Sequence, residues 1–165
     1  MSPNRRDFLK MGSSCAGLFA AQNLKAFAGE TGEPGGSMAE WTGEHLAKGY
    51  WSADSILLSS AKYLKKPEQI VSVATGFGGG ILRKDLCGYL TGGIMAIGLF
   101  VGATRANDKA GREKCHRLTK EYADWWAENY PIHCKDIPQP CDFKEMGETA
   151  SRFLQKLFER ESRKR

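Results

Sequence analysis

The segment 88–101 constrains the fold most, because it contains no charged residue. Glycines and other small residues alternate there with large apolar ones, so a helix over 88–101 has almost no polar face. Such a helix has to be covered on nearly all sides, which places it at the centre of a bundle. It falls short of the roughly 20 residues that span a membrane, so we expect a soluble core helix. Its glycines each cost roughly 1 kcal/mol of helix stability, a cost that makes sense where another backbone or a ligand approaches closely.

Apolar residues recur at helical spacing in several other segments. Ser52 is a plausible N-cap for one of these helices, and Pro67 fits the first position of another. No β-type alternation is found. The sequence therefore predicts an all-α fold, a compact bundle of five to six helices around the central glycine-rich apolar helix. The other predicted helices cover 38–48, 51–64, 67–74, 109–129 and 143–161.

The first 28 residues have the pattern of a twin-arginine export signal. The pair Arg5-Arg6 precedes Asp7-Phe8-Leu9-Lys10, a short weakly apolar stretch follows, and Ala26-Phe27-Ala28 forms a signal-peptidase site. We therefore expect residues 1–28 to be removed, 29–37 to be a flexible linker and 38–165 to be a single helical redox domain outside the cytoplasmic membrane. Proteins exported by this route typically fold before they cross the membrane, often around a cofactor.

The net charge of +5 depends largely on this signal segment. Removing its four basic residues and one acidic residue leaves 20 basic and 18 acidic residues, a net charge of +2. A nucleic-acid-binding function loses its main support, and we predict no nucleic-acid partner. We also predict no stable membrane insertion after cleavage of the signal.

Four cysteines remain after the predicted cleavage: Cys87, Cys115, Cys134 and Cys141. An even number in an exported protein favours two disulfides, and any metal hypothesis has to be weighed against that. Cys87 lies at the start of the central helix, where free N–H groups and the helix dipole should lower the pKa of a thiol. Gly88 beside it should leave the sulfur accessible.

The spacing of the other cysteines is less informative. Cys134 and Cys141 lie seven residues apart in a proline-containing loop, and could hold one metal or close a small disulfide ring, with the disulfide slightly favoured by spacing alone. His133 could ligate a metal, but a histidine in such a position is more often an ordinary loop residue. Cys115 is most simply a core-facing residue. The chain has no CxxCH motif, so we predict no haem.

Taken in order, these motifs resemble the C_GCAxxG_C_C family of redox proteins, which also supplies the N-terminal iron–sulfur domain of split-Soret cytochromes c. The matching features are Gly76-Phe77-Gly78-Gly79-Gly80, Cys87-Gly88-Tyr89-Leu90-Thr91-Gly92, Ile97-Gly98-Leu99, and then Cys134 and Cys141. The resemblance covers roughly residues 48–158. It departs from the family pattern at Ser52, which stands in Gly49-Tyr50-Trp51-Ser52-Ala53 where the family often has a cysteine, and at Tyr89, which replaces an alanine.

The resemblance implies an iron–sulfur cluster of the 2Fe-2S type held by Cys87, Cys134 and Cys141. The fourth position is left to Ser52, solvent or an exogenous ligand. It also implies that the glycine backbone contributes to the cofactor site, through Gly78, Gly79, Gly80 and Gly88. The predicted function is an exported electron-transfer protein with an unidentified redox partner protein, and a homodimer is compatible with it. The alternatives are a thiol–disulfide redox protein that uses Cys134 and Cys141 with Cys87, and a structural zinc domain with three cysteine ligands.

Overall fold

The structure, a computed structural model, describes residues 36–164. The predicted signal segment 1–28 and most of the predicted linker 29–37 lie outside the described residues. Within 36–164 the chain forms five α-helices and several short turns of other helical types. The helices are α1 (Met38–Ala47), α2 (Ser52–Tyr63), α3 (Gly88–Val101), α4 (Lys109–Asn129) and α5 (Phe143–Ser162).

The all-α prediction is confirmed. Helices α3 and α4 have the predicted bounds, and the others begin or end within a residue of them. Amphipathic patterning accounts for α4 and α5, since each buries one apolar stripe and exposes its charged face. The one antiparallel pairing within 36–164 is an isolated bridge between Leu86 and His133. No helix in this part of the chain is both long enough and apolar enough to cross a membrane.

Helices α2 and α3 pack closely at the centre of the fold. A Cβ on Gly92 would lie 2.5 Å from Ile56 Cγ2 and 2.7 Å from the Ala53 carbonyl oxygen. The glycine predicted to permit close backbone approach therefore does so against α2. However, the sequence predicted that α3 would be the most buried helix, and this prediction is wrong. Nine of the 12 residues of α2 are buried, against nine of the 14 residues of α3.

The predicted third α-helix is a 3₁₀ segment instead. Glu68–Val73 forms a tighter turn that ends with the Ala74 N–H donating to the Val71 carbonyl at 2.9 Å. Pro67 precedes it and supplies no N–H. The β-branched residues of this segment have low helix propensity, and the segment is too short to offset the cost of starting an α-helix. Its Ala74 is fully buried, and so the segment still covers the core.

Buried hydroxyl groups connect α1, α2 and α5. Thr42 Oγ1 lies 2.9 Å from Ser59 Oγ and 2.6 Å from Ser151 Oγ, and it also donates to the Met38 carbonyl at 2.9 Å. All three hydroxyl-bearing residues are fully buried. Because each polar group has a partner, this small network fixes the relative position of three helices at little cost in desolvation.

Candidate functional site

Two of the predicted ligands, Cys87 and Cys134, meet at the isolated antiparallel bridge. The bridge pairs Leu86 with His133. The Cys87 N–H donates across it to the Ile132 carbonyl at 2.9 Å, and the Cys134 N–H donates to the Asp85 carbonyl at 2.6 Å. Side chains alternate across extended backbone, so Cys87 and Cys134 share the face opposite Leu86 and His133. Diagonal neighbours in such a pair are about 7–8 Å apart at the backbone, which leaves their sulfur atoms free to approach each other.

Cys141 reaches the same end of the bundle because the start of α5 packs on the first turn of α3. Tyr89 Oη donates to the Phe143 carbonyl at 2.7 Å, two residues beyond Cys141. The thiols of Cys134 and Cys141 both lie close enough to Cys87 to raise its pKa by charge repulsion. All three cysteines are free thiols. The structure thus gathers the three cysteines predicted to bind a metal around the entry of α3.

Burial raises the pKa of the Cys87 thiol to about 11. Its side chain is only 3% exposed. Hydrogen bonds from the Tyr89 and Leu90 N–H groups act in the opposite direction, as expected at a helix N-terminus. The prediction of a lowered pKa is therefore wrong for the free thiol, because desolvation of the thiolate outweighs the two donors. A free Cys87 is protonated at neutral pH.

The prediction that Gly88 keeps this sulfur accessible is also wrong. A Cβ on Gly88 would overlap Ser52 Oγ and lie 3.1 Å from the Ala53 backbone nitrogen. The glycine therefore admits the first turn of α2, not solvent. Ser52 is the first residue of α2, and its predicted role as N-cap falls to Trp51, whose N–H is accepted by Asp54 Oδ2 at 3.3 Å.

The glycine run that precedes the site is covered by an indole ring. Cβ atoms on Gly78 and Gly79 would lie 2.5 and 2.9 Å from the ring of Trp51, so the ring rests on this backbone. A Cβ on Gly80 would lie 2.9 Å from Cys134 Cβ. Of the three glycines of this run that were predicted to contribute to a cofactor site, Gly80 is the one that packs on a cysteine. Gly78 and Gly79 instead form the surface on which Trp51 packs.

Cys115 lies towards the opposite end of the bundle. Helices α3 and α4 run antiparallel, since Tyr122 Oη donates to the Tyr89 carbonyl at 2.9 Å while Lys114 Nζ lies 6.0 Å from the centre of the Phe100 ring. Helix α3 is roughly 20 Å long at 1.5 Å per residue. Cys115 is next to Lys114 and packs on the core from α4, as predicted for a core-facing cysteine.

His133 makes a hydrogen bond to Asp85. Its Nδ1 lies 2.7 Å from Asp85 Oδ1. The bridge places His133 on the face away from Cys87 and Cys134. The contact with Asp85 could not be predicted from the sequence, because it joins residues 48 positions apart.

Closing three thiolates around one metal ion requires movement of their side chains. Within residues 36–164, no group of three or more His, Cys, Asp or Glu side chains already has the arrangement of a metal site. The backbone brings the cysteines to one end of the bundle, and side-chain rotation has to do the rest.

A rim of exposed apolar side chains flanks these cysteines. Six of the seven large apolar residues exposed within 36–164 lie within two residues of a site residue in the sequence. The sequence does not reveal this pattern, because the six residues come from four separate segments. They are Tyr50, Trp51, Ile81, Leu82, Ile132 and Phe143.

Comparison with known proteins gives one match. Residues 50–160 match a family described as "Putative redox-active protein (C_GCAxxG_C_C)". Neither the curated proteins nor the solved structures compared with the chain match it. The match spans about two thirds of the 165 residues and includes all three gathered cysteines. The chain therefore belongs to the C_GCAxxG_C_C family of redox-active proteins.

Proposed function

We propose that the protein is an exported electron-transfer protein whose iron–sulfur cluster is held by Cys87, Cys134 and Cys141. The observation that carries the proposal is the gathering of three free thiols at one end of the bundle, close enough for two of them to raise the pKa of the third. A disulfide uses two thiols, so one of three neighbouring cysteines is left over in any pairing. A metal centre uses all three.

The chemistry of the donors fits a cationic centre. Three thiolates placed together repel one another, and burial adds to the cost at Cys87, as its raised pKa indicates. A metal cation reverses this balance because it binds the deprotonated sulfur directly. The N–H groups of Tyr89 and Leu90 that point at Cys87 are the kind of donor that stabilises cluster sulfurs. When bound, an iron–sulfur cluster accepts and donates single electrons.

Ser52 is our candidate for the fourth position. The bridge turns His133 away from the cysteines, whereas Ser52 Oγ lies against Gly88, next to Cys87. Gly80 and Gly88 supply backbone at the edges of the site. The apolar rim would give a redox partner protein a surface close to the cysteines, which electron transfer requires.

A thiol–disulfide redox protein is the second candidate. The absence within 36–164 of a three-residue group already arranged for a metal favours it, as does the partial exposure of Cys134 and Cys141. In that case two thiols lose two electrons and two protons to an oxidised dithiol compound and form a disulfide. The raised pKa of Cys87 makes it a poor attacking thiol at neutral pH.

Composition of the purified protein distinguishes these candidates. We expect protein isolated without air to be coloured and to contain iron and acid-labile sulfide in equal amounts. Colourless protein with zinc and no sulfide would support a structural zinc site. Colourless, metal-free protein that gains one disulfide when treated with oxidised dithiothreitol would support thiol–disulfide exchange and contradict the cluster.

The export proposal is tested separately. Protein from its native host should begin near Gly29 and lie outside the cytoplasmic membrane. Replacing both Arg5 and Arg6 by lysine should leave the uncleaved chain in the cytoplasm, because the twin-arginine route depends on the pair. Unaltered export of that variant would contradict the proposal.

A further inference from the structure

His45 is a buried residue that takes no part in the proposed site. It lies on the last turn of α1 and is only 8% exposed. Neither Nδ1 nor Nε2 of its ring has a hydrogen-bond partner among residues 36–164, and both atoms are shielded from solvent. Unpaired polar groups of this kind are rare, because burying one costs roughly 1–3 kcal/mol. The ring instead packs edge to face with the Tyr50 ring, with 5.8 Å between their centres.

The loop 48–51, which joins α1 to α2, is tied to His45 at one end and to Asp54 at the other. The Tyr50 N–H donates to the His45 carbonyl at 3.1 Å, and the Trp51 N–H donates to Asp54 Oδ2 at 3.3 Å. The other carboxylate oxygen, Asp54 Oδ1, is buried without a partner. Within 36–164 the unpartnered buried side-chain atoms all belong to His45 and Asp54, and both residues contact this one loop.

A protonated imidazole does not fit the observed surroundings of His45. An imidazolium donates from both ring nitrogens, and a buried charge without a partner costs far more than a buried neutral group. Burial lowers the pKa of His45, and the charge of Lys48 lowers it further. The charged groups that face the ring come from three elements and balance in number: Lys48 and Glu44 of α1, Lys62 of α2, and Glu68 of the 3₁₀ segment.

The sign of the pH effect follows from this. A solvent-exposed histidine binds its proton near the ordinary pKa of about 6.5, whereas the buried ring of His45 binds it only at lower pH. A conformation that exposes the ring therefore gains stability relative to the observed one as the pH falls below about 6.5. The loop is the element around His45 that moves at least cost, because all four of its residues are exposed.

We propose that the loop 48–51 is an acid-sensitive switch operated by protonation of His45. A proton from solvent binds the imidazole, the hydrogen bond from the Tyr50 N–H to the His45 carbonyl breaks, and the charged ring gains access to water and to the carboxylates of Glu44 and Glu68. Because Tyr50 belongs to the apolar rim, this opening changes the surface beside the cysteines. The effect of that change on a redox partner rests on the proposed function, whereas the opening itself does not.

Amide hydrogen exchange tests the switch, followed residue by residue by NMR on the reduced full-length protein at pH 7 and pH 5.5. Each rate is divided by the rate of an unstructured chain at the same pH. We expect the corrected rate of the Tyr50 amide to be about five to ten times higher at pH 5.5, because one proton bound only in the open form shifts the equilibrium by up to about tenfold per pH unit below 6.5. Corrected rates in the middle of α3 should not change, because the opening is local.

The His45→Phe variant should lose the response, because it keeps a ring against Tyr50 but has no group that titrates. His45→Gln is a second variant without a titrating group, in case phenylalanine packs poorly. The matched control is His116→Gln, which removes an exposed histidine on α4 and should keep the response.

Three results would overturn the switch. The first is an unchanged corrected rate at Tyr50 in the unaltered protein, and the second is the same acceleration in both His45 variants. The third is an equal acceleration at Tyr50 and in α3, which would show global unfolding in place of local opening. The measurement needs neither a metal nor a partner protein, so a protein that never assembles a cluster contradicts the proposed function and leaves the switch standing.

Discussion

Replacing Gly92 by alanine tests the close packing of α2 on α3. The new Cβ would lie 2.5 Å from Ile56 Cγ2, 2.7 Å from the Ala53 carbonyl oxygen and 2.9 Å from Ala53 Cα. Two of these atoms belong to the backbone, so a side-chain rotation cannot make room. Overpacking of this kind costs typically about 1–3 kcal/mol.

Gly98 of the same helix provides the matched control. A Cβ at this position would have no neighbour within 4 Å. Alanine is favoured over glycine inside a helix by up to about 1 kcal/mol, so Gly98→Ala should stabilise the protein by about that amount. Gly92→Ala gains the same helix propensity and also bears the steric cost. The difference between the two variants, about 1–3 kcal/mol, therefore isolates the packing of the two helices.

Urea unfolding followed by far-ultraviolet circular dichroism measures this difference directly. We expect the midpoint of Gly98→Ala to rise and that of Gly92→Ala to fall, with unchanged slopes. In thermal unfolding the two Tm values should differ in the same order. Equal stability of the two variants would refute the close approach of α2 and α3, and with it the account of why α3 is rich in glycine.

Three further changes test other features of the structure. Hydrogen bonds from Lys164 and Arg117 lower the pKa of the buried Glu161 to about 2. The ionised carboxylate therefore contributes at most about 3 kcal/mol to the free energy of unfolding, a contribution that is complete above pH 4.5 and is lost as the pH falls towards 2. Glu161→Gln should be less stable than the unmodified protein at pH 7, and equal stability between pH 7 and pH 2 would contradict the pairing. Ile81→Gly should leave the protein equally stable or more stable, because it relieves roughly 1 kcal/mol of strain in the left-handed backbone at this residue. The control Val73→Gly, at an exposed position of a 3₁₀ segment, should destabilise the protein. The denaturant midpoints of the two variants measure the difference. Thr42→Val should cost about 1–3 kcal/mol in urea unfolding because it removes the Thr42 partner of the buried Ser151 and Ser59 hydroxyls, of which Ser59 still donates to the Ser55 carbonyl; no loss would argue against the network.

The helices were predictable from the sequence because their signals are local. The uncharged segment 88–101 had no alternative to a central position, and the apolar stripes of α4 and α5 repeat over several turns. The α-helix predicted over 67–74 is wrong because the segment 68–73 is too short for periodicity to distinguish an α-helix from a 3₁₀ helix.

The geometry of the site could be predicted only in part. The bridge between Leu86 and His133 pairs single residues far apart in sequence, which leaves no alternation to detect. The left-handed backbone at Ile81 and Leu82 contradicts the local preference of both residues and is imposed by their neighbours. The pKa of Cys87 depends on how completely other elements cover it, and a helix N-terminus alone does not reveal this.

The most direct test of the proposed site is to measure both the iron content and the visible spectrum of single cysteine variants that are prepared without air. We expect Cys87→Ala, Cys134→Ala and Cys141→Ala each to lose the chromophore and most of the iron, because each removes one of three protein ligands. Cys115→Ala should keep both, because Cys115 lies towards the opposite end of α3. Loss of iron only in Cys115→Ala, or retention of iron and colour in any of the other three variants, would contradict a cluster held by Cys87, Cys134 and Cys141.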